Sequence, residues 1–284
     1  MLKVISSTKE LLDLRSTQRD PVGFVPTMGN LHAGHLSLLK SALEKFQIVY
    51  FSIFVNPKQF GPNEDFNRYP RTLEQDIKLI EKLLLEFKDK TVIVFAPQDP
   101  SEVFPQDDQQ SITVTGLSEQ LEGKIRPGHF AGVATVVYKL FKLIRPTKSY
   151  FGLKDYQQYL VIKQMVRDLA LPIEIVGMPI VREESGLAMS SRNQYLSEEE
   201  KEQGLILFRT LKKVEEMINH SKNNLNQAKD FINITLKDNH WNYLIMVDAE
   251  TLSVDIENSK KIAILGVYQL RTTRLLDNLQ VEMA

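Results

Sequence analysis

The segment Pro26–His35 (PTMGNLHAGH) carries the residues whose types and spacing are most suited to chemistry. His32 and His35 are three residues apart, so both imidazoles can face one side of the first turn of a helix. If a strand ends at Pro26 and a helix begins near Gly34, backbone N–H groups and the positive end of the helix dipole meet there. This arrangement favours a polyphosphate whose charge grows as a bond breaks. Two alternatives are that one histidine caps the helix while the other is exposed, or that the pair belongs to a metal site, for which no third ligand is near.

The segment FGLKDYQQ, which begins at Phe151, repeats the strand-to-helix geometry. Gly152 would permit the turn, and Lys154 can reach a phosphate. Asp155 either caps the following helix or holds a ribose. This segment is therefore a second candidate for contact with a nucleotide.

Uncharged amide side chains occur beside two of these predicted strand ends. Asn56 and Gln59 follow an apolar strand, and their amides suit the orientation of hydroxyl and carboxylate groups. Gln157 and Gln158 are successive residues of a predicted helix, so only one of them needs to face a site. Either pair is also compatible with ordinary loop or helix-surface chemistry.

Charged and hydroxyl side chains extend the set. Lys124, Arg126 and His129 fall in one predicted loop (LEGKIRPGHF), where three potential cations could clamp an anionic substrate; the alternative is a solvated basic turn. Asp76, shortly after the sequence YPRT, is a candidate metal ligand, with an exposed helical aspartate as the alternative. A further loop (MSSRN) offers two hydroxyls and a guanidinium for phosphates, those of Ser190, Ser191 and Arg192.

Composition excludes several other classes of protein. The chain has 284 residues and no cysteine, which removes disulfides, thiolate zinc sites and cysteine nucleophiles and favours a cytoplasmic location. Its net charge is -1, with 35 basic and 36 acidic residues, which argues against a protein that binds nucleic acid over its whole surface. No apolar run reaches the length of a membrane span, and the N-terminus lacks the pattern of a signal peptide.

Apolar strands alternate with amphipathic helices through the first part of the chain. Because the strands are too apolar for a solvated face, we expect an α/β fold over residues 1–180, a Rossmann-like parallel sheet with helices on both faces. The predicted strands are Val22–Val25, Ile48–Val55, Thr91–Ala96, Tyr150–Phe151 and Ile173–Val176, and the predicted helices are Leu36–Phe46, Leu73–Phe87, Ala134–Leu143 and Asp155–Leu169.

Residues 181–284 have a different pattern. A long amphipathic helix is predicted over Ser197–His220, with Ser197 as its N-cap and Glu200 completing a capping box. A second helix, Leu225–Leu236, and three short strands follow. We expect a smaller α+β C-terminal domain that carries the MSSR phosphate loop.

Five blocks together resemble one family. PTMGNLHAGH, FVNPKQF with EDFNRYPRT, IRPGHFAGVATVV, FGLKDYQQ and MSSRN occur in the order of the pantothenate synthetase family, and TRLLDN near the C-terminus is a looser match. The resemblance runs from about Val22 to Asn193. The HxGH element alone would indicate only the wider nucleotidyltransferase superfamily, whereas the series of five is far more specific. Leu153 departs from the family pattern, in which a polar residue is common.

The resemblance implies ATP-dependent condensation of pantoate with β-alanine through a pantoyl-adenylate, with Mg²⁺ accompanying ATP and a homodimeric enzyme. It assigns His35 as the residue labelled proton donor, with His32 stabilising the phosphates. Gln59 would bind pantoate and β-alanine, and Gln158 pantoate. Lys154 and Arg192 would join the two histidines in catalysis. The implied ATP-binding residues are Met28, Gly29, Asn30, Leu31, His32, Ala33, Gly34, His35, Gly152, Leu153, Lys154, Asp155, Val181, Met189, Ser190, Ser191 and Arg192.

Two other functions are compatible with parts of this pattern. The first is a different adenylyltransferase with the same HxGH core, such as a nucleotide-cofactor adenylyltransferase or a tRNA-charging enzyme. The near-neutral charge argues against the latter. The second is a nucleotide-sensing module without catalysis, which would bind ATP and release no AMP.

Overall fold

A computed structural model describes residues 1–62, 64–108, 110–218 and 224–283. The chain forms two compact units: Met1–Leu153 with Gln157–Pro179, and Lys154–Tyr156 with Ile180–Ala284. The domain limits inferred from the sequence, 1–180 and 181–284, stay a prediction. His220, at which the long helix was expected to end, and Ala284 lie outside the described residues.

The first unit is built on a six-stranded parallel sheet. Its strands are β1 (Leu2–Ile5), β2 (Val22–Thr27), β3 (Ile48–Ile53), β4 (Thr91–Phe95), β5 (Lys148–Gly152) and β6 (Glu174–Met178). Its helices are α1 (Thr8–Thr17), α2 (Ala33–Lys45), α3 (Leu73–Leu84), α4 (Leu121–Ile125), α5 (His129–Ile144) and, from Gln157 onward, α6 (Tyr156–Asp168). Every predicted strand and helix of this part is present. The region containing Lys124 is helical in α4, so the expectation of a single loop there is wrong.

Alternating residues of the strands supply two apolar cores, one on each face of the sheet. In β3, Tyr50 joins the core shared with α1, α5 and α6, whereas Val49 and Phe51 join the core shared with α2 and α3. All three side chains are fully buried. This burial on both faces explains why the strand is apolar throughout, as parallel sheets require.

The strand order places a switch point at β2. The order across the sheet is β1-β4-β3-β2-β5-β6, so the chain moves outward from β2 to β3 and β4 on one side and later to β5 and β6 on the other. In open α/β sheets, ligands bind at the carboxyl ends of the strands where the order reverses. The turns after β2 and β5 are therefore the expected walls of a ligand crevice.

The second unit contains a three-stranded antiparallel sheet. Its elements are α7 (Glu198–Ile218), α8 (Leu225–Thr235), β7 (Trp241–Asp248), β8 (Lys261–Leu270) and β9 (Thr273–Glu282), with the sheet order β7-β8-β9. The capping box of α7 is confirmed: the backbone N–H of Ser197 donates to Oε2 of Glu200 at 2.8 Å, and the N–H of Glu200 donates to Oγ of Ser197 at 3.2 Å. The fold class expected from the sequence is thus confirmed. Among the described residues, no helix is long and apolar enough to span a membrane.

Candidate active site

The turn after β2 is held in a left-handed conformation. Gly29 and Asn30 have φ values of 82° and 51°, which steer the chain from the strand into α2. Thr27 anchors this turn to β3, because its hydroxyl donates to the carbonyl of Ser52 at 2.7 Å and accepts from the N–H of Gly29 at 3.2 Å. The turn is therefore fixed to the central strands at its first residues.

The two histidines are oriented by backbone donors. Nδ1 of His32 accepts from the N–H of Gly34 at 3.1 Å, and Nδ1 of His35 accepts from the N–H of His32 at 3.3 Å. The ring centroids are 4.1 Å apart. A neutral imidazole has one donor and one acceptor nitrogen, so the ring hydrogen of each lies on Nε2. One alternative was that one histidine caps the helix while the other is exposed. The first part is confirmed, because His32 caps α2. The second part is wrong, because both histidines are half-buried.

Asp76 occupies the anion position at this turn. Its side chain is 1% exposed and lies in the first turn of α3. Its Oδ2 accepts from the N–H of Asn30 at 3.0 Å, and its Oδ1 accepts from the N–H of Leu31 at 2.8 Å and the hydroxyl of Thr72 at 3.2 Å. The alternative of an exposed aspartate is wrong. In this structure a carboxylate of the chain itself accepts from the N–H groups of Asn30 and Leu31, and contact of ATP with these two residues stays a prediction.

The surroundings of Asp76 do not fit a metal ligand. Hydrogen-bond donors face both carboxylate oxygens, whereas a metal ligand needs a lone pair directed at the ion. Within the described ranges, no group of three or more histidine, cysteine, aspartate or glutamate side chains could hold a metal ion. Burial raises the pKa of Asp76, and the hydrogen bonds from Leu31, Asn30 and Thr72 oppose that rise.

Gln59 lies against the same turn. Its Nε2 donates to Sδ of Met28 at 3.0 Å, and its Oε1 accepts from Nδ2 of Asn56 at 3.1 Å. A thioether is a weak acceptor, so a carboxylate would be a better partner for this amide. Asn56 is 1% exposed, donates also to the carbonyl of Gly132 and accepts from the N–H of Lys58, so it supports the site structurally.

The backbone of Gln59 is held by a charged network. Arg126 donates from Nε and one terminal nitrogen to the two carboxylate oxygens of Glu64 at 2.7 and 2.6 Å, and from the other terminal nitrogen to Nε2 of His129 at 3.1 Å. Nδ1 of His129 lies 2.8 Å from the carbonyl oxygen of Gln59. A carbonyl can only accept, so His129 carries its hydrogen on Nδ1 and accepts from Arg126 through Nε2.

This network changes the interpretation of the segment LEGKIRPGHF, in which three cations were expected. Burial, followed by the positive charge of Arg126, lowers the pKa of His129 to about 4. His129 is therefore neutral at pH 7, and its interpretation as a cation is wrong. Burial favours a higher pKa for Glu64, but the hydrogen bond and charge of Arg126 outweigh it and lower that pKa. Substrate binding by Arg126 stays a prediction, and in this structure its guanidinium is paired with Glu64.

Gly132 allows α5 to approach the residues that precede Gln59. A Cβ atom at Gly132 would lie 2.1 Å from the carbonyl oxygen of Lys58 and 2.8 Å from the nitrogen of Gln59. Contacts this short with backbone atoms would force the two segments apart. Gly132, the second glycine of the block IRPGHFAGVATVV, is therefore required by packing against the short 3₁₀ helix Pro57–Gln59.

The end of β5 provides the other wall of the expected crevice. Gly152 has no positive φ, and a Cβ atom there would meet nothing within 4 Å, so the turn does not depend on glycine as the sequence had suggested. Open space at this position is compatible with the approach of a ligand. The N–H of Leu153 donates to the carbonyl of Met178 at 2.8 Å. Hydrogen bonding between the chain after β5 and the end of β6 therefore continues for one more residue.

The successive glutamines of α6 have different roles. Gln157 is 5% exposed, accepts from the N–H of Glu122 at 3.0 Å and donates to the carbonyls of Leu117 and Gln120 at 2.7 and 2.8 Å. Gln158 is half-buried, and no described residue is a hydrogen-bond partner of its side chain. Gln158 is thus the one with polar groups available for a ligand.

In the second unit, β9 and the residue that follows β7 hold the segment Lys154–Tyr156. Nδ2 of Asn278 donates to the carbonyl of Lys154 at 2.9 Å, and the hydroxyl of Tyr156 donates to the carbonyl of Ala249 at 2.6 Å. Nζ of Lys154 is 3.7 Å from Oδ1 of Asp155, too far for a strong ion pair. The Lys154 ammonium is thus held weakly by Asp155, while its backbone is fixed by Asn278.

A hairpin in the second unit brings two predicted ATP-binding segments together. The N–H of Met189 donates to the carbonyl of Val181 at 3.0 Å, and Arg182 pairs with Ala188. Ser190 then caps the 3₁₀ helix Ser191–Tyr195 by accepting from the N–H of Arg192 at 3.3 Å. The phosphate loop predicted at Met189–Arg192 is therefore partly a short helix, whose first turn carries Ser191 and Arg192.

An ion pair anchors this hairpin to β9. Arg182 donates to both carboxylate oxygens of Asp277 at 2.6 and 2.9 Å, and its guanidinium lies 4.1 Å from the centroid of Phe208. Burial raises the pKa of Asp277, and Arg182 opposes that rise. Asp277 precedes Asn278, so one pair of residues in the TRLLDN block holds both the hairpin and Lys154.

Sequence reasoning missed several residues that organise the site. Thr27, Glu64, Asp277 and Asn278 all lie within the blocks used to identify the family, but no role was assigned to them. Ser52, which ties Thr27 to β3, is 25 residues away along the chain, and Arg126, the partner of Glu64, is 62 residues away, so spacing could not reveal these contacts. The only signal in the sequence was membership of a block.

Known proteins match the chain over nearly its whole length. The profile of the pantoate–β-alanine ligase family covers residues 1–280. The pantothenate synthetase of Acetivibrio thermocellus is 43% identical, over 99% of this chain and 100% of the relative. That of Methylococcus capsulatus is 44% identical, over 99% of each.

Solved structures agree with this match. A pantothenate synthetase from Thermus thermophilus superposes with a TM-score of 0.87 at 41% identity, covering 98% of this chain and 99% of that one. A pantoate–β-alanine ligase from Francisella tularensis, complexed with β-γ ATP and β-alanine, gives a TM-score of 0.73 at 30% identity over 98% and 97% of the two chains. With the profile and these relatives spanning both units, the chain belongs to the pantoate–β-alanine ligase family.

Proposed function

We propose that the chain catalyses the reaction for which its family is named, the ATP-dependent condensation of (R)-pantoate with β-alanine to pantothenate, with release of AMP and pyrophosphate. Family membership confirms the prediction from the sequence that the chain is a ligase of this family. The residues that carry out the reaction are part of the proposal.

One contact carries the assignment of substrates to residues. Gln59, the proposed ligand of pantoate, touches Met28, the first residue of the proposed ATP-binding turn, at 3.0 Å. Adenylation needs a carboxylate beside the α-phosphate, and the two sites must therefore adjoin. This contact lies at the switch point of the sheet, where a ligand crevice is expected.

In the first step, a carboxylate oxygen of pantoate attacks the α-phosphorus of MgATP. The bond between the α-phosphorus and the bridging oxygen breaks, and pyrophosphate leaves with that electron pair. Gln59 and Gln158 hold pantoate, while His32 and His35 donate hydrogen bonds from Nε2 to phosphate oxygens as negative charge develops. Pyrophosphate is a good leaving group, so a hydrogen bond from His35 is sufficient and no complete proton transfer is needed.

In the second step, the amine of β-alanine attacks the carbonyl carbon of pantoyl-adenylate. The bond between that carbon and the phosphate oxygen breaks, AMP leaves, and the amine gives up a proton as the amide forms. Gln59 also contacts β-alanine in this step. No side chain forms a covalent bond in either step, so the enzyme contributes positioning and charge stabilisation.

Further residues are also proposed to contact ATP. Lys154 and Arg192 place positive charge on the phosphates, and Ser190 and Ser191 donate from their hydroxyls. The remaining contacts are mainly through the backbone, at Gly152, Leu153, Asp155, Val181 and Met189. The weak pairing of the Lys154 ammonium with Asp155 supports this role, because a strong partner would have to be displaced.

Mg²⁺ is proposed as part of the nucleotide substrate, bound by phosphate oxygens. No residue of the chain is assigned to it, since the surroundings of Asp76 do not fit. A homodimer and a cytoplasmic location are also proposed, in line with the resemblance to the family and with the cysteine-free composition.

Pyrophosphate exchange tests the proposal. The chain should exchange labelled pyrophosphate into ATP only when pantoate is present, and should produce AMP and pantothenate once β-alanine is added. Exchange that depends instead on an amino acid or a mononucleotide would identify a different adenylyltransferase. ATP binding without AMP formation in the presence of both substrates would identify a nucleotide sensor.

A further inference from the structure

Asp76 is a buried carboxylate, and no basic side chain of the described residues forms an ion pair with it. Among the ion pairs of the described residues, none includes Asp76, and its charge faces three hydrogen-bond donors: two backbone N–H groups and one hydroxyl. A carboxylate in such a position is stabilised by the donors and holds them in turn. The hydrogen bonds from these three donors therefore indicate that the side chain holds the turn in place.

The two backbone donors belong to the part of the turn that most needs support. Asn30 has a φ of 51°, a left-handed conformation that costs free energy for a residue with a side chain. Successive N–H groups in such a conformation form a concave anion-binding nest. Asp76 occupies the nest at Asn30 and Leu31, and a Cβ atom at Gly29 would lie 3.0 Å from its Oδ2, so the fit is close.

The next residues of the turn are the two histidines of the proposed ATP site. Leu31 immediately precedes His32, whose N–H donates to His35 and whose Nδ1 caps α2. A shift at Leu31 would move the His32 N–H and with it the acceptor geometry of both rings. The contact from α3 is therefore transmitted to the imidazoles through two peptide units.

We propose that Asp76 is a positioning residue for the nucleotide-binding turn, which fixes His32 and His35 through Asn30 and Leu31 and binds neither Mg²⁺ nor ATP. The proposal rests on the proposed function of this turn. It also removes Asp76 from the metal role that its place in the sequence suggested.

The test compares Asp76→Asn with Glu74→Gln. Both changes remove one negative charge from the first turn of α3, but Glu74 is exposed. In Asp76→Asn an amide NH₂ group faces a backbone N–H in place of an acceptor. Loss of a charged hydrogen bond predicts that ATP binds roughly 10- to 100-fold more weakly, both with and without Mg²⁺. Glu74→Gln should bind ATP as the unaltered protein does.

Two measurements separate positioning from metal binding. Calorimetric titration with ATP in EDTA should show the loss, and the Mg²⁺ concentration for half-maximal exchange at saturating ATP should not change. A Mg²⁺ requirement raised tenfold or more, with unchanged ATP binding in EDTA, would overturn the proposal in favour of a metal ligand. Equal behaviour of the two variants would overturn it altogether.

Hydrogen exchange on the unaltered protein keeps the proposal testable if Asp76→Asn does not fold. The amides of Asn30 and Leu31 should exchange slowly, and rapid exchange of either would contradict the contact. This measurement does not depend on catalysis, so a protein that fails the pyrophosphate-exchange test can still pass it.

Discussion

Acidification should destabilise the first unit through His129. The ring accepts from Arg126 through Nε2 and donates to the carbonyl of Gln59 through Nδ1, so its bonding requires the neutral form. A proton on Nε2 would remove the acceptor and place a second cation 3.1 Å from the guanidinium. The unfolded chain has no such constraint and takes up the proton at the ordinary pKa of histidine.

The magnitude follows from the difference between the two states. The pKa falls from its ordinary value of 6.5 to about 4. Each pKa unit corresponds to about 1.4 kcal/mol, and because the ring is only half-buried we expect a loss of about 2–3 kcal/mol in the free energy of unfolding. Since the folded pKa is depressed, this stability is present at and above pH 6.5 and is lost as the pH falls towards 4.

The assay compares urea denaturation of the unaltered protein with that of His129→Gln across this pH range. The variant is less stable at neutral pH, but the difference should shrink by about 2–3 kcal/mol on acidification, because glutamine takes up no proton. Unfolding of the first unit should be followed by amide hydrogen exchange in α5. Tryptophan fluorescence would report on the second unit instead, because the single tryptophan, Trp241, lies there. His240→Gln, at an exposed histidine of the second unit, is the matched control.

Direct titration of the ring provides the refutation. Nuclear magnetic resonance of the His129 imidazole should give a midpoint near 4. A midpoint at or above about 6, or parallel pH profiles for His129→Gln and the unaltered protein, would show that the network does not hold the neutral ring.

Three further substitutions test the remaining assignments. His35→Ala should lower the single-turnover rate of adenylate formation by about two to three powers of ten with an unchanged circular dichroism spectrum, and near-normal turnover would contradict its role. Gln158→Ala should raise the KM for pantoate more than that for ATP at unchanged stability, whereas Gln157→Ala should lower the free energy of unfolding by about 1–3 kcal/mol; the reverse pattern would exchange their roles. Arg192→Lys should reduce kcat/KM for ATP about tenfold or more if the planar fork binds phosphates, and unchanged kinetics would make Arg192 a surface charge.

The fold could be predicted because the parallel sheet leaves a strong mark on the sequence. Strands buried on both faces must be apolar throughout, as β3 is, and the intervening helices keep their own spacing. The start of α5 was predicted five residues late, at Ala134. The helix begins at His129, whose ring contacts the carbonyl of Gln59. The prediction was late because the polar residue and the glycine of this first turn interrupt the apolar pattern.

The site could be predicted only as a set of segments. Asp76 looked like an exposed helical residue, although it shares the face of α3 that carries the buried Ile80 and Leu84. That spacing was the available signal, and it was outweighed by the expectation that aspartate is solvated. Gln157 and Gln158 have the same chemistry and adjacent positions, so only tertiary contacts with the residues around Glu122 could distinguish them.

In both His32 and His35, the two ring nitrogens serve different purposes. Nδ1 accepts from a backbone donor of the turn and serves folding, and Nε2 is the nitrogen proposed to donate to the phosphates. Asparagine, a strong N-cap residue, can meet the first requirement at His32 but has no counterpart to Nε2 at the same reach. The position is thus constrained twice by independent physical needs. His32 should therefore tolerate fewer substitutions than a residue that had only to cap the helix or only to contact the ligand.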